Sequence, residues 1–238
     1  MIKVFIICFE YSGSKFLRSS YCDLFNILML LKKKNITNIT ILTDITNTSI
    51  LLESKSILCD IYPKKKFDIN RIFVSLNTLY KTIILPKEID LFDDYESERI
   101  LLSELTNPDK DDILFYYTGH IIINNEIKNI VLPNNKLFSC HLLKNHIKSI
   151  IYNRFISIID SCYSECLFIK DIECENLQIS SSSEDIMTIT TKYKGFMTNK
   201  LVKLIIKNSC ILDLNVLKKL GSKYGNVRYI CKNDDLSL

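Results

Sequence analysis

The chain has 238 residues, of which 47% are hydrophobic and 24% charged, and its formal net charge is +4. A chain of this length and composition can bury a substantial core, which excludes a disordered protein. The basic runs at residues 32–34 and 64–66 are short and lack interleaved aromatic residues. They predict solvated helix ends or loops, so no nucleic acid is expected as a partner.

The pattern of apolar residues and cysteines predicts a soluble intracellular protein. The apolar run at residues 1–9 meets Glu10 and lacks the basic start of a secretory signal, so it is predicted to be a buried strand. Charged residues and Asn interrupt every apolar run before about 18 residues, and no membrane association is expected. Nine cysteines lie scattered without CxxC pairs. This spacing favours reduced thiols in the cytoplasm over a disulfide framework or a zinc site.

In chain order, short apolar runs rich in Ile, Val, Phe and Tyr alternate with longer segments of three- and four-residue apolar spacing. The runs predict strands at residues 3–8, 38–42, 112–118, 155–160 and 177–180. The longer segments predict helices at residues 21–33, 99–105, 144–152 and 199–206. Residues 54–94 lack a clear period and contain Pro63 and Pro86, so a surface insertion is predicted there. The alternation predicts an α/β fold with a largely parallel sheet and helices on both faces.

Two of the predicted strands end in reactive residues. The strand at residues 112–118 leads to His120, and the strand at residues 155–160 leads to Cys162. Catalytic groups in parallel sheets lie at the carboxyl ends of strands, so these two side chains would meet if the strands are neighbours. A cysteine thiolate needs a nearby base, and His120 can serve that role. Taken alone, the same residues also fit a structural histidine and a small buried cysteine.

Two motifs carry a family resemblance. The strings Tyr-Tyr-Thr-Gly-His at residues 116–120 and Ile-Ile-Asp-Ser-Cys-Tyr-Ser at residues 158–164 closely resemble the Tyr-Ser-Gly-His-Gly and Asp-Ser-Cys-His-Ser-Gly signatures of metacaspases. The resemblance covers nearly all the chain, including residues 3–8, 40–44, 179–183 and 195–198. It implies a caspase-like three-layer sandwich, formed by one peptidase domain over residues 1–238. It also implies a cysteine endopeptidase with His120 and Cys162 as its catalytic dyad.

The resemblance further implies a substrate class. In metacaspases an acidic pocket receives the residue before the cleaved bond, and its carboxylates match Asp23 and Asp160 here. Two carboxylates in one pocket need a cation, so a protein or peptide substrate with Arg or Lys at that position is expected. Ser20 and Thr118 match small polar positions beside the pocket. The competing interpretations are a capping or solvated role for Asp23 and a turn role for Asp160.

Several positions depart from the family pattern. The family has Gly directly after the catalytic His, where its backbone N–H binds the oxyanion together with the N–H of the cysteine. Here the two donors would be Ile121 and Cys162. An ordinary backbone conformation at Ile121 would preserve its donor, whereas a conformation that only Gly tolerates would spoil it. Tyr163 and Glu165 also replace the family's His and Gly. These departures motivate an alternative, a weak or inactive caspase-fold pseudoenzyme that acts as a decoy or regulator of a protease or cell-death pathway.

No cofactor or metal is expected. Many metacaspases bind calcium through paired acids, and the corresponding stretch at residues 139–142 lacks them, although Asp171 and Glu173 could be a remnant. We interpret His141 and His146 as structural or surface residues because no acidic or thiol partner lies at metal-ligand spacing. The family favours a monomer. The Ile-, Asn- and Lys-rich composition resembles that of an AT-rich genome, such as that of a large DNA virus, which would place the protein in the host cytoplasm.

Overall fold

The computed structural model describes residues 1–17, 19–45, 80–87, 95–150, 153–164, 167–168 and 175–181, and the pairs 190–191, 194–195, 197–198 and 201–202. Its strands are β1 (Ile2–Cys8), β2 (Ile39–Thr43), β3 (Lys81–Ile84), β4 (Asp112–Thr118), β5 (Ile121–Asn124), β6 (Ile127–Val131), β7 (Leu137–Ser139), β8 (Arg154–Asp160), β9 (Glu175–Ser180), β10 (Thr190–Thr191) and β11 (Lys194–Gly195). Its helices are α1 (Ser19–Lys33), α2 (Glu96–Glu104) and α3 (Cys140–Ile150), with a 3-10 turn at Gly13–Lys15. Residues 197–198 and 201–202 are also helical.

Six strands form the central sheet in the order β3-β2-β1-β4-β8-β9. Every pairing in this sheet is parallel within the described chain. The strand order reverses between β1 and β4, and the carboxyl edge beside such a reversal is the usual place for a ligand site in an open parallel sheet. The predicted α/β class with a largely parallel sheet is confirmed.

The core has two parts, one on each face of the sheet. Successive side chains of a strand point to opposite faces, so Val4 and Ile6 of β1 belong to one part and Phe5 and Ile7 to the other. Helix α1 covers the first face, and helices α2 and α3 cover the second. The predicted three-layer arrangement with helices on both faces is therefore confirmed.

The helices bury one stripe each. In α1 the buried residues Leu24, Ile27, Leu28 and Leu31 recur at the three- and four-residue spacing of an amphipathic helix. The helix begins two residues before the predicted start, at Ser19. No helix in the part of the chain that the structure describes is long and apolar enough to cross a membrane.

A second sheet follows His120 directly. Strands β5, β6 and β7 pair antiparallel in that order. These strands and the edge strand β3 were absent from the sequence-based prediction. The predicted insertion at residues 54–94 lies mostly outside the described residues, and within it Lys81–Ile84 joins the central sheet as β3. The helix predicted at residues 199–206 also lies largely outside the described residues.

Candidate active site

The register of two neighbouring strands places both residues of the predicted dyad at the same edge of the sheet. Strands β4 and β8 pair directly, and Thr118 is the register partner of Asp160. His120 and Cys162 each follow these partners by two positions. Because neighbouring strands lie about 4.8 Å apart, both residues emerge side by side at the carboxyl edge of the sheet.

A hydrogen bond extends this alignment past the ends of the strands. The buried hydroxyl of Ser161 donates to the backbone carbonyl of Gly119 over 2.7 Å. These two residues directly precede Cys162 and His120. The two turns therefore remain joined up to the reactive positions.

A backbone carbonyl fixes the orientation of the His120 ring. Nε2 of His120 lies 2.8 Å from the carbonyl oxygen of Lys15, in the 3-10 turn after β1. A carbonyl only accepts hydrogen bonds, so we assign the proton of the neutral ring to Nε2. Nδ1 then remains as the ring nitrogen that can accept a proton.

Partial burial keeps this ring neutral. The pKa of His120 lies below its usual 6.5, mainly because burial disfavours the charged imidazolium. The Lys15 ammonium acts in the same direction, and the hydrogen bond to the Lys15 carbonyl opposes both. At neutral pH the histidine is thus in the form that accepts a proton from a thiol.

The turn that carries Cys162 is held from β9. The carbonyl of Ser164 accepts hydrogen bonds from the Gln178 amide at 2.7 Å and from the Ser180 hydroxyl at 3.1 Å. The carbonyl of Ser161 accepts one from Ser181 at 3.1 Å. Cys162 therefore lies in a turn that is tied to the neighbouring strand on both sides.

Cys162 differs from the other cysteines whose side chains the structure describes. Cys8 and Cys140 are buried, whereas Cys162 is partly exposed. Burial raises the pKa of Cys8 well above its usual value and that of Cys140 to about 12. Of these three thiols, Cys162 is the one that a substrate can reach.

Ile121 has an ordinary backbone conformation. It opens strand β5, and it is absent from the described non-glycine residues with positive φ. Its register partner on β6 is Ile130. The preceding pair, His120 and Val131, is the hydrogen-bonded type, because the Val131 N–H donates to the His120 carbonyl. Because bonded and non-bonded pairs alternate, the N–H of Ile121 points away from β6. The conformational objection to Ile at this position therefore does not apply.

Tyr163, directly after Cys162, lies in the left-handed region with a φ of 51°. A bulky residue seldom adopts this conformation. Such strain persists where the surrounding structure imposes it, and it concentrates at functional sites.

Asp160 is buried and only half satisfied. Its Oδ2 accepts hydrogen bonds from the N–H and hydroxyl of Thr198, at 3.0 Å and 2.6 Å. Its Oδ1 has no hydrogen-bond partner among the described residues. Burial raises the pKa of Asp160, and the hydrogen bonds from Thr198 are the main opposing cause; the Ser181 hydroxyl also favours the charged form, although it makes no hydrogen bond of normal geometry to Oδ1. A buried carboxylate oxygen without a partner is costly, and a cationic ligand would offset the cost.

Asp23, the other predicted pocket carboxylate, acts on the same tyrosine as Asp160, namely Tyr116. It is fully buried on α1. After burial itself, the charges of Asp23 and Asp160 are the main causes that raise the pKa of Tyr116. The Tyr116 hydroxyl lies 2.7 Å from the Thr198 hydroxyl, which in turn donates to Asp160. Both predicted pocket carboxylates therefore act on one tyrosine.

Ser20 and Thr118 are both buried. The Ser20 hydroxyl donates to the Phe9 carbonyl over 2.6 Å and ties the start of α1 to the end of β1. The Thr118 carbonyl accepts the N–H of Phe9 at 3.1 Å. Substrate contacts by these two residues stay a prediction.

The other two histidines have local partners. His141 is exposed on α3 and lies 3.0 Å from the amide of Asn145. Nε2 of His146 lies 2.9 Å from the Leu105 carbonyl. Both contacts fit the structural or surface roles predicted for them. The possible calcium ligands Asp171 and Glu173 lie outside the described residues.

The comparisons with known proteins identify the architecture. No family model and no curated protein matches this chain. The solved structure of protein GSU0716 from Geobacter sulfurreducens matches with a TM-score of 0.58 at 10% identity, over 97% of this chain and 92% of that chain. The Drosophila initiator caspase Dronc matches with a TM-score of 0.50 at 9% identity, over 98% of this chain and 75% of that chain. The fold is caspase-like. Caspase-1 from Spodoptera frugiperda has a TM-score of 0.44 at 11% identity, over 93% of this chain and 77% of that chain.

A caspase-like fold at this low identity establishes architecture, while the chemistry depends on the residues at the sheet edge. Sequence reasoning missed two contributors there. The Lys15 carbonyl is a backbone group, so no residue type signals it. Tyr11, whose ring centroid lies 4.7 Å from that of His120, is far from the motif in sequence. Its position three residues after the end of β1, at the same edge as His120, is the signal that could have identified it.

Proposed function

We propose that this chain is a cysteine endopeptidase of the metacaspase type that cleaves proteins or peptides after Arg or Lys. Cys162 is the nucleophile and His120 the general base and acid. The observation that supports the proposal is the Thr118–Asp160 register, because His120 and Cys162 each follow one of these partners by two positions.

The chemistry follows from the ring orientation. Nδ1 of His120 takes the proton of the Cys162 thiol, and the thiolate attacks the carbonyl carbon of the scissile bond. The backbone N–H groups of Cys162 and Ile121 donate to the oxyanion. His120 then protonates the leaving amine, and a thioester remains on Cys162. Water, activated by the neutral His120, hydrolyses the thioester and restores the thiol.

The acidic pocket is the basis for the proposed specificity. The partnerless Oδ1 of Asp160 would accept a hydrogen bond from a guanidinium or ammonium group. Asp23 adds a second negative charge in the same region. A substrate with Asp before the cleaved bond would meet like charge, so cleavage after Asp is not expected.

The alternative is a caspase-fold pseudoenzyme that binds a protease or its substrates without cutting. One of its two motives, the Ile at position 121, is weakened by the ordinary backbone there. The motive that remains is the pair of altered residues after the nucleophile, namely Tyr163, which is strained, and Glu165, which lies outside the described residues. Thiol reactivity and peptide hydrolysis distinguish the two functions.

The remaining expectations belong to the same proposal. The enzyme would act as a monomer without a bound metal, in the cytoplasm, and a source with an AT-rich genome such as a large DNA virus would make that the host cytoplasm. Protein breakdown in a cell-death pathway is the process that a metacaspase-type activity would serve.

Fluorogenic peptides that end in Arg, Lys or Asp test the proposal, with and without added calcium. Wild type should release the fluorophore from the Arg and Lys peptides in both conditions, and Cys162→Ala should release none. Matched unfolding curves would show that the variant still folds. Hydrolysis that survives in Cys162→Ala contradicts the dyad, and a folded wild type that cleaves no peptide favours the pseudoenzyme.

A further inference from the structure

Two tyrosine hydroxyls hold the backbone of His120. The N–H of His120 donates to the hydroxyl of Tyr11 over 2.8 Å, and that hydroxyl donates to the carbonyl of Val131 over 2.9 Å. The carbonyl of His120 accepts a hydrogen bond from the Tyr117 hydroxyl at 2.9 Å and one from the Val131 N–H at 3.0 Å. Both backbone polar groups of the histidine therefore have fixed partners.

Tyr11 replaces a direct bond between two strands. The β5–β6 register places His120 opposite Val131, where an antiparallel pair would join the His120 N–H to the Val131 carbonyl directly. The Tyr11 hydroxyl is inserted between these two groups instead. The position of the His120 backbone thus depends on the side chain of Tyr11, which lies 109 residues earlier in the sequence.

Tyr11 is itself anchored to the central sheet. Its φ of 63° is left-handed, and the successive N–H groups of Glu10 and Tyr11 donate to the carboxylate of Asp44 at 2.7 Å and 2.8 Å. Asp44 follows β2, the neighbour of β1. The Lys87 ammonium lies 3.7 Å from the same carboxylate. Asp44, which follows β2, therefore stabilises the unusual backbone conformation of Tyr11, and Lys87, which follows β3, balances the charge of Asp44.

Gly119 makes room for both hydroxyls. A Cβ atom at Gly119 would lie 2.6 Å from the hydroxyl oxygen of Tyr117 and 2.7 Å from that of Tyr11. Contacts this short do not occur for real side chains, so the two hydroxyls and a side chain at position 119 exclude each other. The glycine of the Thr-Gly-His string thus belongs to the same arrangement.

We propose that Tyr11 and Tyr117 form a clamp that positions His120 for its work with Cys162. This inference rests on the proposed peptidase function. Both tyrosines are positioning residues, because their hydroxyls contact the backbone of His120. The clamp holds the ring against the Lys15 carbonyl, so that Nε2 keeps its proton and Nδ1 serves the thiol. Tyr11 contributes more than Tyr117 to holding His120. Without the Tyr117 hydroxyl, the His120 carbonyl still accepts a hydrogen bond from the Val131 N–H, whereas without the Tyr11 hydroxyl the His120 N–H loses its described acceptor.

The experiment compares Tyr11→Phe and Tyr117→Phe with the control Tyr80→Phe. Tyr80 is a buried tyrosine that precedes β3, at the opposite end of the sheet from the site. Nitrogen-15 NMR of labelled histidine reports the tautomer at neutral pH, and His120→Gln identifies the His120 signals among three histidines. Peptide hydrolysis gives kcat and KM, and urea unfolding verifies folding.

We expect wild type and Tyr80→Phe to show the single Nε2–H tautomer. Tyr11→Phe should show a mixture of tautomers and a kcat lowered about 10- to 100-fold, with KM changed less than about 3-fold, because a slightly displaced base loses rate more than binding. Tyr117→Phe should show a smaller loss in the same direction.

A folded Tyr11→Phe that keeps both the wild-type tautomer and the wild-type kcat overturns the clamp. If Tyr11→Phe does not fold, Tyr117→Phe decides, and an unchanged tautomer and kcat there overturn it. The NMR measurement needs no substrate, so failure of the clamp can be distinguished from failure of the proposed peptidase function. A wild type that cleaves nothing, but whose fixed tautomer is lost in Tyr11→Phe, overturns the peptidase and supports the clamp.

Discussion

Ser161 and Gly119 are joined by a 2.7 Å hydrogen bond that carries the alignment of β4 and β8 beyond the ends of both strands. Each residue directly precedes one member of the candidate dyad. The relationship explains why a parallel sheet suits this chemistry. The register of β4 and β8 places His120 and Cys162 at one edge of the sheet. The hydrogen bond of the Ser161 hydroxyl then joins the turn before Cys162 to the turn before His120.

Replacing Asp160 by Asn should weaken the preference for Arg substrates and raise the free energy of unfolding. Burial raises the pKa of Asp160 in the folded state, so its contribution to folding is present at acid pH and is lost as the pH rises through that raised pKa. Asp160→Asn removes the buried charge and should increase the free energy of unfolding at neutral pH. The same change should lower kcat/KM for an Arg peptide about 100-fold, or about 2.7 kcal/mol, since the substrate cation loses its partner.

Two peptides that differ only in Arg or its neutral isostere citrulline measure this effect. The preference for Arg over citrulline should fall sharply in Asp160→Asn and should stay unchanged in Asp109→Asn, an exposed carboxylate. An Asp160→Asn variant with the wild-type preference would mean that Asp160 does not recognise the cation.

His120 should titrate below pH 6.5. Burial lowers its pKa in the folded state, so the stability linked to this group is present above the unfolded pKa and is lost as the pH falls through the folded pKa. The neutral base then persists into mildly acidic solution, and the acid limb of kcat should lie below pH 6.5. An NMR titration measures the midpoint directly, and His120→Gln identifies which signals belong to His120. A His120 midpoint at or above 6.5 would contradict the account.

Restoring glycine after the histidine should not improve the enzyme. Ile121 already has an ordinary backbone conformation, and its side chain is 1% exposed in the core. Ile121→Gly should leave kcat no higher than in wild type and should cost about 3–5 kcal/mol of unfolding free energy, by loss of core packing and gain of chain entropy. Urea unfolding and peptide hydrolysis measure both quantities.

The neighbouring Ile122→Gly is the matched control for Ile121→Gly, because Ile122 lies on the same strand and is 37% exposed. It should cost only about 1 kcal/mol. A kcat that rises in Ile121→Gly alone would show that the Ile side chain obstructs the oxyanion donor.

Adding a single methyl group at Gly119 should damage the site. The Cβ of Gly119→Ala would force apart the hydroxyls of Tyr11 and Tyr117. We expect kcat to fall at least about 10-fold with a smaller change in KM, since the base is displaced while Asp160, the proposed partner of the substrate cation, is untouched. Full activity in Gly119→Ala would show that the hydroxyls move without consequence.

The sequence was sufficient for the elements whose signal is local. Strand β4 was predicted with its observed bounds, because the buried run from Asp112 is followed by Gly119. The two motifs were expected at the ends of buried parallel strands, and those strands, β4 and β8, are neighbours. The β5–β6 hairpin was missed because its turn, Asn125-Glu126, lacks the glycine that usually marks such turns, although both residues have positive φ.

The supporting contacts of the site could not be predicted from residue types. The Lys15 carbonyl is a backbone group, and Tyr11 reaches His120 across more than a hundred positions of sequence. Gln178 holds the Cys162 turn from the neighbouring strand β9, and Gln178 lies in neither of the two dyad motifs. Each contact depends on which strands become neighbours, and a single sequence does not state that order.

The most direct test of the central claim is the rate at which iodoacetamide alkylates each of the nine cysteines, measured by mass spectrometry in wild type and His120→Gln. The account predicts that Cys162 in wild type reacts at least about 10-fold faster than buried Cys8 and Cys140, and that His120→Gln removes most of this advantage. A Cys162 that reacts equally fast with and without the histidine, or no faster than the buried thiols, would contradict the dyad.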